Sequence, residues 1–311
     1  MKKVCNSIVD LIGNTPILEL KNIEKEFNLK GKLFAKLEYT NPAGSIKDRV
    51  AYSMIIDAMN KGLINKDTTI IEPTSGNTGI GICAICADMG YKVIIVMPDT
   101  MSKERILSMK AYGAEVVLTD GSKGMQGSID KANELNKTIK NSIIAGQFEN
   151  QANPKIHYET TAREIFETME GDIDIFISTI GTGGTISGVG KYLKERLPDV
   201  KIVGVEPSNS PLLSQNKVGK HKIQGIGANF IPKVLDKNIY DEIITVTDDE
   251  AYNNGSLLAR KQGLMCGISS GACLTAGILL ATKEENKNKN IVMIFADTGM
   301  RYLSTENYYK N

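Results

Sequence analysis

Lys47 stands in Asn41-Pro42-Ala43-Gly44-Ser45-Ile46-Lys47-Asp48-Arg49, a short Pro/Gly loop at the point where a helix should begin. A lysine amine held in such a loop is a candidate nucleophile, because partial burial beside other cations lowers its pKa toward the unprotonated form that attacks a carbonyl. The adjoining Asp48 and Arg49 keep a second reading open, that of an exposed or salt-bridged helix end. Two glycine-rich loops follow, Thr74-Ser75-Gly76-Asn77-Thr78-Gly79 and Gly181-Thr182-Gly183-Gly184-Thr185, each between an apolar strand-like run and a helix-like run. Glycines let backbone amides converge, and a helix N-terminus adds partial positive charge, so each loop suits an anion. The second loop lacks a Gly-Lys-Ser/Thr ending, which disfavours a nucleotide P-loop and leaves an ordinary turn as its alternative. The first adds hydroxyls and an amide, a set that fits a carboxylate. Asn77, and the pair Ser269-Ser270 in Gly267-Ile268-Ser269-Ser270-Gly271-Ala272, have the commoner use of helix N-caps as their alternative.

The elements that must position these groups alternate in type. Apolar runs at 69–71, 93–97, 116–118, 143–145, 175–180, 202–205, 243–246 and 291–295 read as strands, and helical patterns occupy 47–61, 102–112, 127–140, 154–169, 248–262 and 270–281. The fold class expected is α/β, with mostly parallel sheets covered by helices on both faces. Eight strands fit awkwardly in one sheet and no long linker divides them, so two closely packed three-layer lobes are expected. The polar stretch 284–290 reads as a solvated loop before the last strand.

Composition excludes several classes of function. The 311 residues carry 37 basic and 36 acidic side chains, a net charge of +1, which gives no field for nucleic acid or an anionic membrane surface. The first residues lack an apolar signal core, and no run reaches the roughly 20 apolar residues of a spanning helix, so a cytoplasmic protein with small-molecule partners is expected. Five cysteines, an odd number without framework spacing, read as reduced thiols. Cys83-Ala84-Ile85-Cys86 has CxxC spacing inside a helix-like run of small apolar residues, where core packing is the expected role. The only histidines are His157 and His221, and no metal is expected.

The lysine loop and the two glycine-rich loops together resemble the cysteine synthase (O-acetylserine sulfhydrylase) family of fold-type II pyridoxal phosphate enzymes, within the cystathionine β-synthase superfamily. The likeness runs from Leu11-Ile12-Gly13-Asn14-Thr15-Pro16 to Asp297-Thr298-Gly299-Met300-Arg301-Tyr302-Leu303-Ser304-Thr305, nearly the whole chain. It implies a tryptophan synthase β-like fold, with a smaller lobe over residues 40–151 and a larger lobe made of 1–39 and 152–311. It implies that Lys47 bonds the aldehyde of pyridoxal 5'-phosphate and shuttles the substrate proton, and that Gly181, Thr182, Gly183, Gly184 and Thr185 hold the cofactor phosphate. Thr74, Ser75, Gly76, Asn77 and Thr78 would clasp the amino acid carboxylate, with Asn77 also approaching the ring 3-hydroxyl. Gln147, in Ala145-Gly146-Gln147-Phe148, would donate to the same carboxylate, a buried structural amide being the alternative. Ser269 would hydrogen-bond the pyridine nitrogen; a neutral hydroxyl does not hold that nitrogen protonated as an aspartate does, which favours elimination at Cβ.

Met125, in Gly124-Met125-Gln126-Gly127, and Gly225, in Gly225-Ile226-Gly227-Ala228, match cleft-lining loops of the family. The implied reaction is β-replacement: L-cysteine forms from O-acetyl-L-serine and sulfide through an α-aminoacrylate intermediate. A homodimer and binding of the serine acetyltransferase tail are implied as partners. Asn229 stands where a glycine is common, Gln126 replaces a frequent lysine, Gln151 a proline and Met300 a glutamate. Asn229 leaves open a cysteine-consuming, sulfide-releasing variant of the chemistry, and O-phosphoserine as donor is a separate alternative.

Overall fold

The computed structural model describes residues 4–74 and 76–309. Its strands are β1 (Ile17–Glu19), β2 (Lys32–Leu37), β3 (Thr69–Pro73), β4 (Lys92–Pro98), β5 (Glu115–Thr119), β6 (Ser142–Ile144), β7 (Ile175–Thr179), β8 (Lys201–Pro207), β9 (Glu242–Val246) and β10 (Asn290–Phe295). The helices are α1 (Lys21–Glu26), α2 (Lys47–Asn60), α3 (Asn77–Met89), α4 (Lys103–Ala111), α5 (Gly124–Thr138), α6 (Ala152–Ile156), α7 (Ala162–Thr168), α8 (Gly184–Lys194), α9 (Leu212–Gln215), α10 (Asp248–Leu257) and α11 (Ile268–Ala281). Among the described residues no helix is long and apolar enough to cross a membrane.

The chain divides into two compact units, one of Met1–Gly13 with Asn41–Asn153, the other of Asn14–Thr40 with Pro154–Asn311. In the first, parallel strands run in the order β5-β4-β3-β6. Ile71, Ile94, Val96 and Ala132 form a buried cluster on this sheet, with the side chains of Val117, Leu135 and Ile139 packed on it. In the second, the order is β1-β2-β10-β7-β8-β9, parallel except for the antiparallel β1–β2 pair. Here β10 is buried at every position, as expected for a central parallel strand covered on both faces. Each fully buried Ile, Val or Leu of such a strand is worth roughly 1.5–3 kcal/mol in apolar burial.

In both sheets the chain reverses its winding beside one strand. β3 lies between β4 and β6, and β7 lies between β8 and β10. At such switch points the loops leaving the carboxyl ends of neighbouring strands diverge and open a crevice, where ligands of open α/β sheets bind. Each of these two strands leads directly into one of the glycine-rich loops.

The elements differ from the sequence reading in several places. Residues up to Gly13, expected with the larger lobe, belong to the first unit: the turn Ile8–Leu11 lies against α3 and the Gly13 N–H donates to the Asn41 side chain at 2.8 Å. β1 and β2 were absent from the expectation because the lysines of β2 break its apolar run, yet Lys36 is fully buried, its Nζ bonded to the Thr15 carbonyl at 2.6 Å and to Glu164 at 2.7 Å. The helix expected over 154–169 is α6 and α7 joined by a π turn, His157–Thr161, and a second π turn, Leu258–Gln262, extends α10. α5 begins three residues before the expected 127, so Met125 and Gln126 lie in a first helical turn rather than in a loop. The stretch 284–290 is not wholly solvated: Asn286 is buried and donates to the Leu280 carbonyl at 2.9 Å, and Asn290 opens β10.

Candidate active-site residues

In the first unit, Lys47 is the first residue of α2. An exposed Lys-Asp-Arg triplet is not what forms there, since Asp48 and Arg49 are each only 1% exposed. Asp48 ties the preceding loop to the helix: one carboxylate oxygen accepts the Ala43 N–H at 2.6 Å and the other the Ser45 hydroxyl at 3.4 Å. The Ser45 oxygen accepts the Lys47 N–H at 3.2 Å. The Pro/Gly loop is thereby closed on itself, and the half-buried Lys47 is carried at its end.

From the carboxyl end of β3 the chain enters the first glycine-rich loop. Thr74 is buried, and its hydroxyl oxygen accepts the Gly76 N–H at 3.1 Å. Gly76 has φ 153°, and a Cβ there would lie 2.6 Å from the buried Arg105 side chain, so both conformation and space call for glycine. Ser75 lies outside the described residues. Gly76 is the N-cap of α3, which makes Asn77 the first helical residue and not the cap that its type suggested. The next residue, Thr78, donates its hydroxyl to Gln147 Oε1 at 2.6 Å.

Gln147 follows β6, and the β3–β6 pairing brings the two carboxyl ends side by side. Its Nε2 is 3.5 Å from the Pro73 carbonyl, and Asn153 donates to its backbone carbonyl at 2.8 Å. Beneath it lies Glu72, fully buried, which accepts the Gly146 N–H at 2.8 Å and the Gln147 N–H at 3.4 Å. Burial pushes the Glu72 carboxyl up to about 7, against the pull of these hydrogen bonds. The structure thus brings Gly76, Asn77, Thr78 and Gln147 onto adjacent strand ends of one sheet, with Met125 at the start of α5 in the same unit.

In the second unit, β7 leads into Gly181 to Thr185 and then α8, whose N-cap is Gly183. A Cβ on Gly181 would lie 2.4 Å from the Gly225 carbonyl oxygen, so the close approach of these two backbones requires glycine there. The Gly227 N–H donates to the Ile180 carbonyl at 3.0 Å, fixing the 225–229 segment beside the loop. Thr182 Oγ1 accepts the Gly184 N–H at 3.3 Å, and Thr185 Oγ1 meets His157 Nε2 at 3.3 Å. His157 is fully buried on the π turn, with Nδ1 2.9 Å from Thr161 Oγ1. Ser269 and Ser270 are the second and third residues of α11, whose N-cap is Gly267, so neither serves as cap.

Asn229 has φ 62°, the left-handed conformation that glycine adopts freely and asparagine tolerates best among the others. Its amide oxygen accepts the Ser210 hydroxyl at 2.6 Å, while the Ser210 oxygen accepts the Gly219 N–H at 3.2 Å. Gly181, Glu206, Ser210 and Asn229 line one recess of this unit.

Glu72, Arg105, His157 and Ser210 were not singled out in the sequence. For Glu72 a signal existed, a lone carboxylate in the apolar run Ile70-Ile71-Glu72-Pro73 directly before the loop. Cys83 and Cys86 are buried in α3, as expected of core positions, and burial pushes both thiols up to about 12.

The model of the pyridoxal-phosphate dependent enzyme family matches residues 8–297. Cysteine synthase B of Campylobacter jejuni subsp. jejuni is 52% identical over 304 residues, 98% of this chain and 99% of the relative. A probable cysteine synthase of Bacillus subtilis is 49% identical over 309 residues, 98% of each chain. Among solved structures, a hydrogen sulfide-producing enzyme from Fusobacterium nucleatum superposes with TM-score 0.93 at 48% identity, covering 96% of this chain and all of that one. Cysteine synthase (OASS) from Entamoeba histolytica superposes with TM-score 0.95 at 42% identity, covering all of this chain and 92% of that one.

Proposed function

The chain belongs to the pyridoxal-phosphate dependent enzymes, and from that premise we propose that it makes L-cysteine from O-acetyl-L-serine and sulfide by β-replacement. The observation that carries the reaction is the full-length likeness to relatives named cysteine synthase, at about half of all positions identical. The cofactor is pyridoxal 5'-phosphate. The residues present fit it: the loop from Gly181 to Thr185 is an amide-rich cradle at a helix N-terminus whose first glycine a Cβ would fill, and it carries two hydroxyls.

We assign that loop, Gly181, Thr182, Gly183, Gly184 and Thr185, to the cofactor phosphate, with His157 orienting the Thr185 hydroxyl. Ser269 is assigned to the pyridine nitrogen and Asn77 to the ring 3-hydroxyl. When bound, the cofactor supplies an electron sink that acidifies the Cα proton of the amino acid. Lys47 Nζ would hold the cofactor aldehyde and, freed when the substrate amine takes its place there, would take the Cα proton as acetate leaves and return a proton to Cα after sulfide has added. Gly76, Thr78 and Gln147 hold the substrate carboxylate beside the amides of the α3 N-terminus, where the helix dipole favours an anion. Because the Thr78 hydroxyl donates to Gln147, its part is to aim the glutamine amide. Thr74 and Ser75 complete the loop, and Met125, Gly225 and Asn229 bound the space for the substrate side chain. Closure around the carboxylate would exclude water from the reacting Cβ.

The deciding experiment is Lys47→Ala. Purified variant protein should lose both the visible absorbance of the bound cofactor and cysteine formation; a variant that retains turnover refutes the assignment.

A second reading takes cysteine as donor and releases sulfide. It is favoured by the likeness to the hydrogen sulfide-producing enzyme and by an asparagine at 229. Steady-state rates with O-acetylserine, O-phosphoserine and cysteine as donors separate the readings. A homodimer in the cytoplasm, with the carboxylate clasp also accepting the tail of a serine acetyltransferase, completes the proposal; five free cysteines are in keeping with a reducing compartment.

A further inference from the structure

Every polar group of Gln147 has a partner within the first unit. Its backbone N–H goes to Glu72, its carbonyl receives the Asn153 amide, its Oε1 receives the Thr78 hydroxyl, and its Nε2 points toward the Pro73 carbonyl at the long distance of 3.5 Å. Since Thr78 donates to Oε1, the carboxamide is oriented, and its nitrogen is the donor left for a ligand. What sets the height and tilt of the residue is the backbone below it, where the buried Glu72 takes two successive amides and the buried Asn153 donates to the Gln147 carbonyl. That carboxylate bridges two successive amides, Gly146 at 2.8 Å and Gln147 at 3.4 Å, from a strand that does not contain them. Gly146 has φ 75°, a left-handed conformation that glycine adopts freely, so the direction of this turn is left to its hydrogen bonds.

We propose that Glu72 is a positioning residue of the carboxylate clasp: it acts through the Gly146–Gln147 backbone to aim the Gln147 amide at the substrate carboxylate. The inference rests on the proposed role of Gln147. A carboxylate is specified because both partners are N–H donors. A glutamine at 72 has the same shape, yet it accepts on one oxygen only and turns an NH2 group against the other amide. Burial pushes the carboxyl up to about 7, so the form in which both oxygens accept is the one present above that pH, where the comparison below is made.

The test compares Glu72→Gln, Gln147→Ala and the double variant as holoenzymes. Glu72→Gln should raise the KM for O-acetylserine about tenfold and leave kcat within about threefold, the mark of lost binding rather than lost chemistry. The KM for sulfide should not move. Binding of L-alanine, which has the carboxylate and amine but no leaving group, should weaken by the same factor, read from the change in visible absorbance of the bound cofactor. Amide hydrogen exchange at Gly146 and Gln147 should accelerate. Added to Gln147→Ala, the Glu72→Gln change should have no further effect on KM, because the two act on one contact. If Gln147→Ala raises KM while Glu72→Gln does not, or the two effects multiply, the role given to Glu72 is wrong and that of Gln147 stands. If Gln147→Ala leaves KM unchanged, the clasp assignment itself fails. Should Glu72→Gln not fold, Glu72→Asp keeps the charge but is too short to reach both amides, and the same outcomes decide.

Discussion

Glu72 carries opposite demands for binding and for stability. Burial raises its carboxyl from an ordinary 4.5 to about 7, so between these values the native state holds a proton that the unfolded chain releases. Stability therefore falls as pH rises from about 4.5 to 7 and is flat above, by up to roughly 3 kcal/mol from this group. Glu72→Gln removes that component, and urea denaturation at a series of pH values should give a flatter pH dependence for the variant over this window; parallel curves for the two proteins would contradict the buried-carboxyl account. Lys47 and both glycine-rich loops, proposed here for catalysis and anion binding, could be picked out in the sequence because such chemistry depends on local order: a lysine, an asparagine or a run of glycines at a strand–helix junction. Glu72, Arg105 and His157 were not, since they act on residues 74, 29 and 28 positions away in the chain, at Gly146, Gly76 and Thr185, and only the strand order and helix packing bring them there.

At the scale of elements, the alternation of apolar runs and helical patterns located β3 to β10, with ends shifted by a residue or two. β1 and β2 escaped because a buried lysine, paired with Glu164 and a carbonyl, occupies a core position that the pattern assigns to an apolar residue. The π turns within two helices leave no mark in periodicity over so few residues. The β7–α8 junction is the element most exposed to a small change. Gly181→Ala would drive a methyl group to within 2.4 Å of the Gly225 carbonyl oxygen, and backbone on both sides must move apart. Loss of cofactor is the expected result: after dialysis the variant should retain less than about a tenth of the pyridoxal phosphate of the unmodified protein, while far-UV circular dichroism is unchanged. Full retention would show that the phosphate is held elsewhere.

For the whole molecule, the division into two units needed more than local pattern, since each unit is assembled from two separate pieces of chain. The resemblance supplied a discontinuous arrangement, but the assignment of the first thirteen residues follows from the turn at Ile8–Leu11 lying on α3, a contact between segments some 70 positions apart. Four of the five thiols, Cys83, Cys86, Cys266 and Cys273, are buried in one unit or the other, and burial raises all four; Cys5 alone is partly accessible. Iodoacetamide should label one thiol per folded chain, at Cys5, and five after unfolding, as read by peptide mass spectrometry. The burial has a consequence for a protein that works in the presence of sulfide. Polysulfides formed when sulfide is oxidised pass a sulfane sulfur to an accessible thiolate and leave as the shorter polysulfide, and thiols kept protonated and out of water do not take part, so persulfide formation on this molecule is confined to the cysteine near its N-terminus.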